Sequence, residues 1–308
     1  MRFVRRLFGE GRRKGGPPTP GRRLCSDAEA EARGFGGAEA ARRRAVLGET
    51  ISAFDSADPP DRFHRLAEEN LKRWRSQCSE INGPLRIEVL PGDWGAVALK
   101  LTQAYGVRFA VLNMANAYVP GGAYVEGAVA QEENMFRRTD CHFSVDRKEY
   151  DDIRDRYLPA MTSLLSAEHG AVYLDVDRPR VCIRGPEDRS REDLGYEWLE
   201  PEQIYSFFEL RASAQDLRDG RAFDPSETRK RIGGQLNTLR DAGIRHAVLG
   251  AFGCGAFRNP GAQVARIYRE EILAREAHFS IIVFAIFSAG YGPGNYAPFL
   301  KELGPPRD

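Results

Sequence analysis

The chain has 308 residues, and its 45 Lys and Arg against 44 Asp and Glu give a formal net charge of +1 at pH 7. This near balance gives no electrostatic reason to expect nucleic acid or an anionic membrane as a partner, and 42% hydrophobic with 29% charged residues is typical of a soluble globular protein. The longest apolar run, residues 281–287, is far too short to span a bilayer. We expect an intracellular, cytoplasmic protein that is a monomer and has no nucleic-acid or membrane partner.

The first segment, residues 1–24, is a basic tail rich in Gly, Pro and Arg. Its only acid is Glu10, so nearly all of its charge is positive. We predict that the tail is disordered, because it can bury too little apolar surface to offset the entropy of ordering. An organelle transit peptide is the alternative interpretation, since the stretch is Arg-rich and acid-poor, although it lacks Ser and is short.

Residues 25–80 are predicted to form a helical extension. Ala, Glu and Arg dominate this stretch, and apolar residues recur at helical intervals between residues 45 and 54. A Pro-Pro dipeptide at 59–60 interrupts the pattern, and a second amphipathic piece follows it from about residue 62 to residue 76.

From residue 85 onwards, short β-branched runs alternate with segments of helical length. The predicted strands are 86–90, 109–113, 171–175, 181–184, 205–211, 246–251 and 280–287. The predicted helices lie near 94–104, 130–142, 152–166, 225–242 and 261–276. This alternation predicts a three-layer α/β/α domain with a mixed, largely parallel sheet, spanning residues 81–303. Several strands are apolar throughout, as expected when helices cover both faces of the sheet.

In such sheets, ligands bind outside the carboxyl ends of the strands. The first loop that this rule selects follows the strand 109–113 and reads NMANAYVPGGA, residues 113–123. Its glycines allow a backbone to approach a ligand closely and to present N–H groups. A helix then begins with Gln131-Glu132-Glu133. Each feature also has an ordinary structural explanation, since Pro-Gly-Gly is common in turns and Glu is favoured in a first helical turn.

The second loop follows the strand 246–251 and reads GAFGCGAFRNP, residues 250–260. Closely spaced small residues before a helix suit an anion, because the backbone N–H groups lie beside the helix N-terminus. Phe257 is suited to stack on a sugar or a base. The alternative is a tight turn that needs glycine for its geometry alone. The loop matches neither a P-loop nor the GxGxxG pattern of dinucleotide folds, so the residues by themselves indicate a nucleotide-like diphosphate site.

The five cysteines include no CxxC pair, and the five histidines form no HExxH arrangement. Neither a disulfide scaffold nor a zinc site follows from such spacing. We therefore expect a reduced protein with no metal bound by its side chains and no cofactor.

Both loops resemble segments of a known family. The stretch 113–123 with the following Gln131-Glu132-Glu133 resembles the signature of microbial-type poly(ADP-ribose) glycohydrolases, in which a triple glycine precedes Gln-Glu-Glu. Residues 250–260 resemble the diphosphate-binding loop of the family, residues 42–54 resemble its N-terminal helix, and residues 283–299 resemble its last strand and closing segment. The resemblance runs in the family's order over most of the chain. It implies a macrodomain fold with ADP-ribose lying across the end of the sheet.

Carried over residue by residue, Glu133 matches the catalytic acid, and Glu132 matches the neighbour that holds the ribose hydroxyls. The remaining positions that match the ADP-ribose site are Asn116, Gly121, Gly122, Ala123, Gln131, Gly253, Cys254, Gly255, Ala256, Phe257 and Asn259. Phe257 and Asn116 correspond to contacts of the distal ribose. The resemblance thus implies an ADP-ribosyl hydrolase that cleaves the glycosidic bond at the distal ribose of ADP-ribosylated proteins and releases ADP-ribose, with Glu133 as general acid.

The chemistry fits these residue types. Cleaving a glycosidic bond builds positive charge on the sugar and negative charge on the leaving atom, so a proton-donating carboxyl group and a second polar group answer both needs. Adjacent residues of a helix point about 100° apart, so Glu132 and Glu133 are expected to have different tasks.

The sequence departs from the family pattern in three places. Ala123 stands where the third glycine is expected, residues 137–142 are unusually charged, and the middle region, residues 175–218, is only loosely similar. An alternative is therefore a mono-ADP-ribosyl-arginine hydrolase, in which Asp140 or Asp146 receives the guanidinium of the modified side chain. The ordinary explanation for both aspartates is a solvated helix face.

Two rival classes remain. A non-catalytic ADP-ribose reader has no need of a proton donor, so the Glu132-Glu133 pair argues against it. The second rival class is an unrelated nucleotide-binding α/β protein. The expected partners are ADP-ribose and an ADP-ribosylated protein substrate.

Overall fold

A computed structural model describes residues 21–79, 81, 83–146, 148–288 and 294–304. Within them, one six-stranded sheet and helices on both of its faces form a three-layer α/β/α structure, as predicted. The strands are β1 (Arg86–Pro91), β2 (Ala110–Met114), β3 (Tyr150–Asp151), β4 (Arg156–Tyr157), β5 (Tyr173–Cys182), β6 (Tyr205–Ala212), β7 (His246–Leu249) and β8 (Ile281–Ile286). The helices are α1 (Asp27–Ala32), α2 (Ala38–Asp55), α3 (Arg62–Arg75), α4 (Trp94–Tyr105), α5 (Gln131–Arg138), α6 (Pro159–Leu165), α7 (Pro225–Asp241), α8 (Gly261–Leu273) and α9 (Tyr296–Leu303), with short 3-10 helices at Asp140–Ser144 and Pro201–Gln203.

The strand order in the sheet is β1-β8-β7-β2-β6-β5, and all neighbours are parallel except β5, which runs antiparallel to β6. This confirms the prediction of a mixed, largely parallel sheet. β2 pairs with both β6 and β7 at the centre of the sheet. The loops that follow these three strands therefore emerge side by side at one edge.

Alternating residues of the central strands face two separate cores. On one face Leu112 and Phe284 pack with side chains of α7, α8 and α9. On the other face Val111 and Val283 pack with side chains of α3, α4 and α5. Both faces are covered, which explains why these strands are apolar along their whole length.

The N-terminal helices lie directly on the α/β domain. Thr50 on α2 donates a hydrogen bond to the carbonyl oxygen of Arg137 on α5 at 2.7 Å. On α3, the side-chain amide of Asn70 donates to the carbonyl oxygens of Pro201 and Ile204 at 2.7 and 2.8 Å. In the described part of the chain, none of the helices is long and apolar enough to cross a membrane.

The disordered tail that we predicted for residues 1–24 lies mostly outside the described residues, which begin at 21. At its last positions the prediction is wrong for Arg22, which is only 4% exposed. The cause is a set of ion-pair and hydrogen-bond partners far along the chain, which no local composition reveals.

Three predicted elements differ in the structure. The predicted helix 152–166 is only α6 at its end, preceded by the β3–β4 hairpin, whose turn contains Asp155 at a φ of 53°. The predicted strands 171–175 and 181–184 form the single strand β5, with a register shift between Asp175 and Arg180. The helix predicted at 130–142 ends at Arg138, because Thr139 is extended and its hydroxyl oxygen accepts the N–H of Cys141.

Candidate active site

The first predicted loop leaves β2 and leads into α5, and Gln131 ties the two elements together. Its side-chain oxygen accepts the N–H of Met114 at 2.9 Å, and its side-chain nitrogen donates to the carbonyl oxygen of Leu112 at 2.9 Å. Both polar groups of Gln131 are thus used on the backbone of the strand. Gln131 therefore supports the start of α5 by joining it to β2.

Asn116 shapes the same loop through a local turn. Its side-chain oxygen accepts the N–H groups of Tyr118 and Val119 at 2.8 and 3.0 Å. This Asx-type bonding fixes the chain as it leaves the strand. The N–H of Asn116 itself points to α5, where Glu132 accepts it.

Gly121 and Gly122 both adopt left-handed conformations, with φ of 70° and 57°. A Cβ atom at Gly122 would lie 2.3 Å from Oε1 of Glu133, and one at Gly121 would lie 2.6 Å from the ring of Tyr124. The glycines are therefore required both by conformation and by their close approach to α5. The structure thus places Gly122 against the carboxyl group of Glu133.

The two glutamates are buried at the start of α5, and each meets a different backbone N–H. Oε2 of Glu132 accepts the N–H of Asn116 at 2.7 Å, and Oε1 of Glu133 accepts the N–H of Ala123 at 3.1 Å. Glu132 is 3% exposed and Glu133 is 8% exposed. Among the described residues, Oε1 of Glu132 is buried without a hydrogen-bond partner.

Burial changes the acidity of both groups. It raises the pKa of Glu132 well above its ordinary value, and the neighbouring charge of Glu133 raises it further. Burial also raises the pKa of Glu133, against the effect of the Ala123 N–H, which favours the charged form. A carboxyl group with a raised pKa retains its proton at higher pH, which is the property that a general acid needs.

The conformation of Gly253 and the side chain of Asn259 shape the second predicted loop. Gly253 has a φ of 72°, and a Cβ atom there would lie 2.5 Å from Cβ of Ala214. The side chain of Asn259 donates to the carbonyl oxygens of Gln215 and Gly253 at 2.8 and 3.0 Å. Asn259 is buried, whereas Gly255 and Ala256 are exposed. Asn259 therefore supports the loop from inside, and Gly255 and Ala256 form its exposed surface. Cys254, which precedes them, is half-buried, and burial raises the pKa of its thiol to about 12.

Arg218 connects this loop with the glutamates, and the sequence analysis did not single it out. Its guanidinium lies 5.0 Å from the ring centroid of Phe257. The hydrogen bond to Asp216 is the main cause that raises the pKa of Arg218, and the charge of Glu133 adds to it. Arg218 thus contacts Phe257 of the second loop and also lies within electrostatic reach of Glu133.

A buried charged cluster behind Glu132 was also missed. Arg211 on β6 donates to both carboxylate oxygens of Glu209 at 2.9 Å and to the hydroxyl of Tyr157 at 2.9 Å. The nearby charge of Arg211 lowers the pKa of Glu132, against the stronger effect of burial. The signal in the sequence was the pair of charged residues Glu209 and Arg211 inside an otherwise apolar strand.

The structure does not bring Asp140 to the glutamates. Its carboxylate accepts the N–H of Val181 at 2.8 Å and contacts Nε2 of His64 at 3.1 Å. Asp140 therefore supports the end of β5, because an N–H at the strand end needs an acceptor. Its contact with a substrate side chain stays a prediction, whereas the alternative of a solvated helix face is wrong, since Asp140 is buried.

Asp146 is half-buried and accepts the N–H of Lys148 at 2.9 Å. Its negative charge adds to burial in raising the pKa of the adjacent Glu149 to about 7. Asp146 thus lies beside a second buried carboxyl group rather than on α5. Among the described residues, no group of three or more His, Cys, Asp or Glu side chains is placed to hold a metal ion.

Comparison with known proteins finds similarity to poly(ADP-ribose) glycohydrolases. Residues 55–166 match the family model described as the catalytic domain of microbial-type poly(ADP-ribose) glycohydrolase. The poly(ADP-ribose) glycohydrolase of Thermomonospora curvata is similar in structure, with a TM-score of 0.57 and 25% identity over 84% of this chain and 98% of that chain. No protein with curated annotation matches.

Two ligand-bound structures are also similar. The Thermomonospora curvata enzyme bound to the inhibitor ADP-HPD has a TM-score of 0.55 and 25% identity over 84% of this chain and 98% of that chain. The poly(ADP-ribose) glycohydrolase of Deinococcus radiodurans in complex with ADP-ribose has a TM-score of 0.52 and 26% identity over 79% of this chain and 92% of that chain.

These matches confirm the resemblance that the sequence indicated: the chain has the fold of a macrodomain hydrolase similar to microbial-type poly(ADP-ribose) glycohydrolase. The matched family and the similar structures are glycosidic-bond hydrolases, in agreement with the predicted enzyme class. The segment matched by the family model contains the first loop with Glu132 and Glu133, whereas the second loop at 250–260 lies beyond it.

Proposed function

We propose that this chain is an ADP-ribosyl hydrolase that cleaves the glycosidic bond at the distal ribose of ADP-ribosylated proteins and releases ADP-ribose. The observation that carries the proposal is the placement of Glu132 and Glu133. Two adjacent buried carboxyl groups, both with raised pKa, lie against a left-handed Gly-Gly turn at the carboxyl edge of the sheet. The similarity to glycohydrolases solved with ADP-ribose and ADP-HPD supports the same assignment.

In this proposal Glu133 is the general acid. Oε1 is engaged by the N–H of Ala123, so we assign the proton to Oε2. Donation of that proton to the leaving oxygen or nitrogen breaks its bond to the anomeric carbon, and a water molecule then attacks this carbon. The proton lost by the water returns the carboxylate to its acid form, so the cycle needs no cofactor.

We assign Glu132 to the orientation of the ribose. Oε2 is fixed by the N–H of Asn116, while Oε1 is buried without a hydrogen-bond partner among the described residues. A buried oxygen of this kind costs about 1–3 kcal/mol if it remains unpaired. A ribose hydroxyl would supply the missing donor.

We place the diphosphate at the second loop, residues 253–257. The exposed Gly255 and Ala256 present their backbone beside the start of α8, which suits a negative charge. Arg218 lies above the ring of Phe257 in this loop, and the charge of Glu133 contributes to the raised pKa of Arg218. ADP-ribose bound across both loops would bring its distal ribose to the glutamates.

For the leaving group we propose a further ADP-ribose unit rather than an arginine side chain. The arginine alternative relied on Asp140 or Asp146, and Asp140 is committed to Val181 and His64. No other observation favours it. The assay is incubation with poly-ADP-ribosylated protein and, in parallel, with arginine-mono-ADP-ribosylated protein, while the release of free ADP-ribose is followed.

The decisive variant is Glu133→Gln. We expect its rate of ADP-ribose release to fall by about 10²–10⁴-fold, the usual contribution of general acid catalysis. Its affinity for ADP-ribose, measured by calorimetry, should change little, because the amide oxygen still accepts the N–H of Ala123. The matched control is Glu69→Gln on the exposed side of α3. Normal turnover by Glu133→Gln would assign the acid to another residue.

A further inference from the structure

Arg22 is buried although it lies in a basic stretch with an exposed neighbour. Its side chain is 3% exposed, whereas that of Arg23 is 74% exposed and pairs with Glu29 on the surface. Burying a guanidinium is costly unless its donors are satisfied. Its partners therefore show what the burial achieves.

One edge of the Arg22 guanidinium is held by a carboxylate. Nε and Nη2 each donate to a different oxygen of Asp155 at 2.6 Å, which is a bidentate pair. The hydroxyl of Tyr150 donates to the same carboxylate. Asp155 lies in the turn of the β3–β4 hairpin, so the hairpin fixes the orientation of Arg22 from outside the glycine loop.

The other edge of the guanidinium binds the glycine loop itself. Nη1 donates to the carbonyl oxygen of Gly122 at 2.6 Å and to that of Pro120 at 3.3 Å. The peptide that follows Gly122 has its N–H on Ala123, and this N–H donates to Oε1 of Glu133 at 3.1 Å. Arg22 and Glu133 thus bind opposite ends of one peptide group.

A peptide group is planar and rigid, so fixing its oxygen also fixes the direction of its N–H. Gly122 provides little restraint of its own, because glycine rotates freely about its backbone bonds. A cation on the carbonyl oxygen also polarises the peptide and strengthens its N–H as a donor. The orientation of Glu133 therefore depends on Arg22 through a single rigid unit.

We propose that Arg22 is a positioning residue for the reaction: it holds the Gly122–Ala123 peptide so that the N–H of Ala123 fixes the carboxyl of Glu133. The inference rests on the proposed function, since Glu133 is the proton donor there. It also assigns a role in the site to a residue from the segment that sequence reasoning had treated as a disordered tail.

The proposal predicts a change in the acidity of Glu133. The N–H of Ala123 favours the carboxylate, so weakening this bond raises the pKa of Glu133. The other charged groups near Glu133 are Glu132 and Arg137 on α5, Glu126 in the loop before it and Arg218 from the loop after β6. The variants below keep all four. Glu126 loses its 3.5 Å contact with Arg22 but keeps its 2.6 Å ion pair with Arg33, so a shift reports mainly the loss of the contact between Arg22 and Gly122.

The test compares Arg22→Ala, Arg22→Lys and the matched control Arg23→Ala in the full chain. With poly-ADP-ribosylated protein as substrate, we expect kcat of Arg22→Ala to fall on the order of 10²-fold, as for a misplaced catalytic group, with KM little changed. Arg22→Lys should recover only part of the rate, since one ammonium cannot bind Asp155 and Gly122 in the same fork. Arg23→Ala should match the wild type.

Two readouts separate positioning from loss of folding. Millimolar guanidinium chloride should partly restore the rate of Arg22→Ala, whereas sodium chloride should not. A ¹³C NMR titration of Glu133, assigned with Glu133→Gln, should give a higher pKa in Arg22→Ala than in the wild type, and the alkaline limb of its kcat profile should move to higher pH. The wild-type rate tests the proposed function separately. An unchanged pKa of Glu133 in folded Arg22→Ala overturns the inference, whatever the activity, and so does a wild-type kcat.

Discussion

Glu132 and Glu133 are neighbours on one helix, but their carboxyl groups point to different parts of the same loop. Glu132 meets the N–H of Asn116 near the end of β2, and Glu133 meets the N–H of Ala123 beyond the glycines. Because successive helical positions differ by about 100°, one loop can engage both only by wrapping around the start of α5. The two glycines permit this path.

The raised pKa of Glu132 implies that ionising this carboxyl group destabilises the folded protein at higher pH. Its pKa is raised above the ordinary value of 4.5, so the folded state binds this proton more tightly than the unfolded state does. The stabilising effect of the proton is complete below pH 4.5 and is lost as pH rises through the folded pKa. This dependence of stability on pH is opposite to that of a salt-bridged carboxylate, which stabilises the fold at high pH and loses this effect as pH falls.

We therefore expect Glu132→Gln to gain stability relative to the wild type as pH rises. The amide cannot ionise, so it does not carry the cost that the carboxyl carries at neutral pH. Thermal melting at pH 4 and pH 7 measures the difference, and each kcal/mol should appear as a shift of roughly 2–4 °C. Glu69→Gln should show the same difference from the wild type at both pH values. A relative stability of Glu132→Gln that is independent of pH would contradict the raised pKa.

At the scale of elements, the site is assembled from loops that follow neighbouring parallel strands. β6, β2 and β7 are adjacent in the sheet, and the loops after them supply Arg218, the glycine turn and Phe257. Within the second loop the glycines have different tasks. Gly253 is needed for its left-handed backbone and its contact with Ala214, whereas a Cβ atom at Gly255 meets nothing within 4 Å.

Gly255→Leu therefore tests binding without disturbing the fold. We expect the affinity for ADP-ribose, measured by calorimetry, to fall at least about 10-fold, equivalent to about 1.4 kcal/mol, because the side chain would occupy the space proposed for the diphosphate. Gly48→Leu on α2 is the matched control, since a Cβ atom there also meets nothing within 4 Å. Equal affinity in both variants would remove the second loop from the site.

At the scale of the whole molecule, the N-terminal helices are joined to the α/β domain by buried charges. Glu187 accepts hydrogen bonds from Arg43 on α2 at 2.8 Å and from Tyr196 at 2.7 Å, and it lies 3.9 Å from Arg137 on α5. Glu187 thus connects the extension, the helix of the glutamates and the segment before β6.

Glu187→Ala should destabilise the protein by about 3–5 kcal/mol, because it leaves buried guanidinium groups without their carboxylate. The matched control is Asp193→Ala, which breaks the ion pair with Arg191 on the surface and should cost about 0–1 kcal/mol. Urea unfolding of the three proteins measures both values. A loss in Glu187→Ala no larger than that of the control would show that the extension is held by its apolar contacts instead.

The sequence by itself determined the layered α/β architecture, the two loops and the pair Glu132-Glu133, because these depend on local signals: apolar strands, helical periodicity and glycines at strand ends. The resemblance to the glycohydrolases added the roles of the two glutamates. The same local patterns misassigned the β3–β4 hairpin as helix, since its turn is fixed by Asp155 in contact with the distant Arg22.

Only the tertiary structure decided which charged residues serve the site. In the sequence, Asp140 lies close to the Gln-Glu-Glu motif and Arg22 lies in a tail predicted to be disordered, so sequence context favoured Asp140 as the residue near the site. Folding places Asp140 under the end of β5 and Arg22 behind the glycine loop. The physical reason is that a buried charge must find partners, and these partners lie far away along the chain, 133 positions in the case of Arg22 and Asp155.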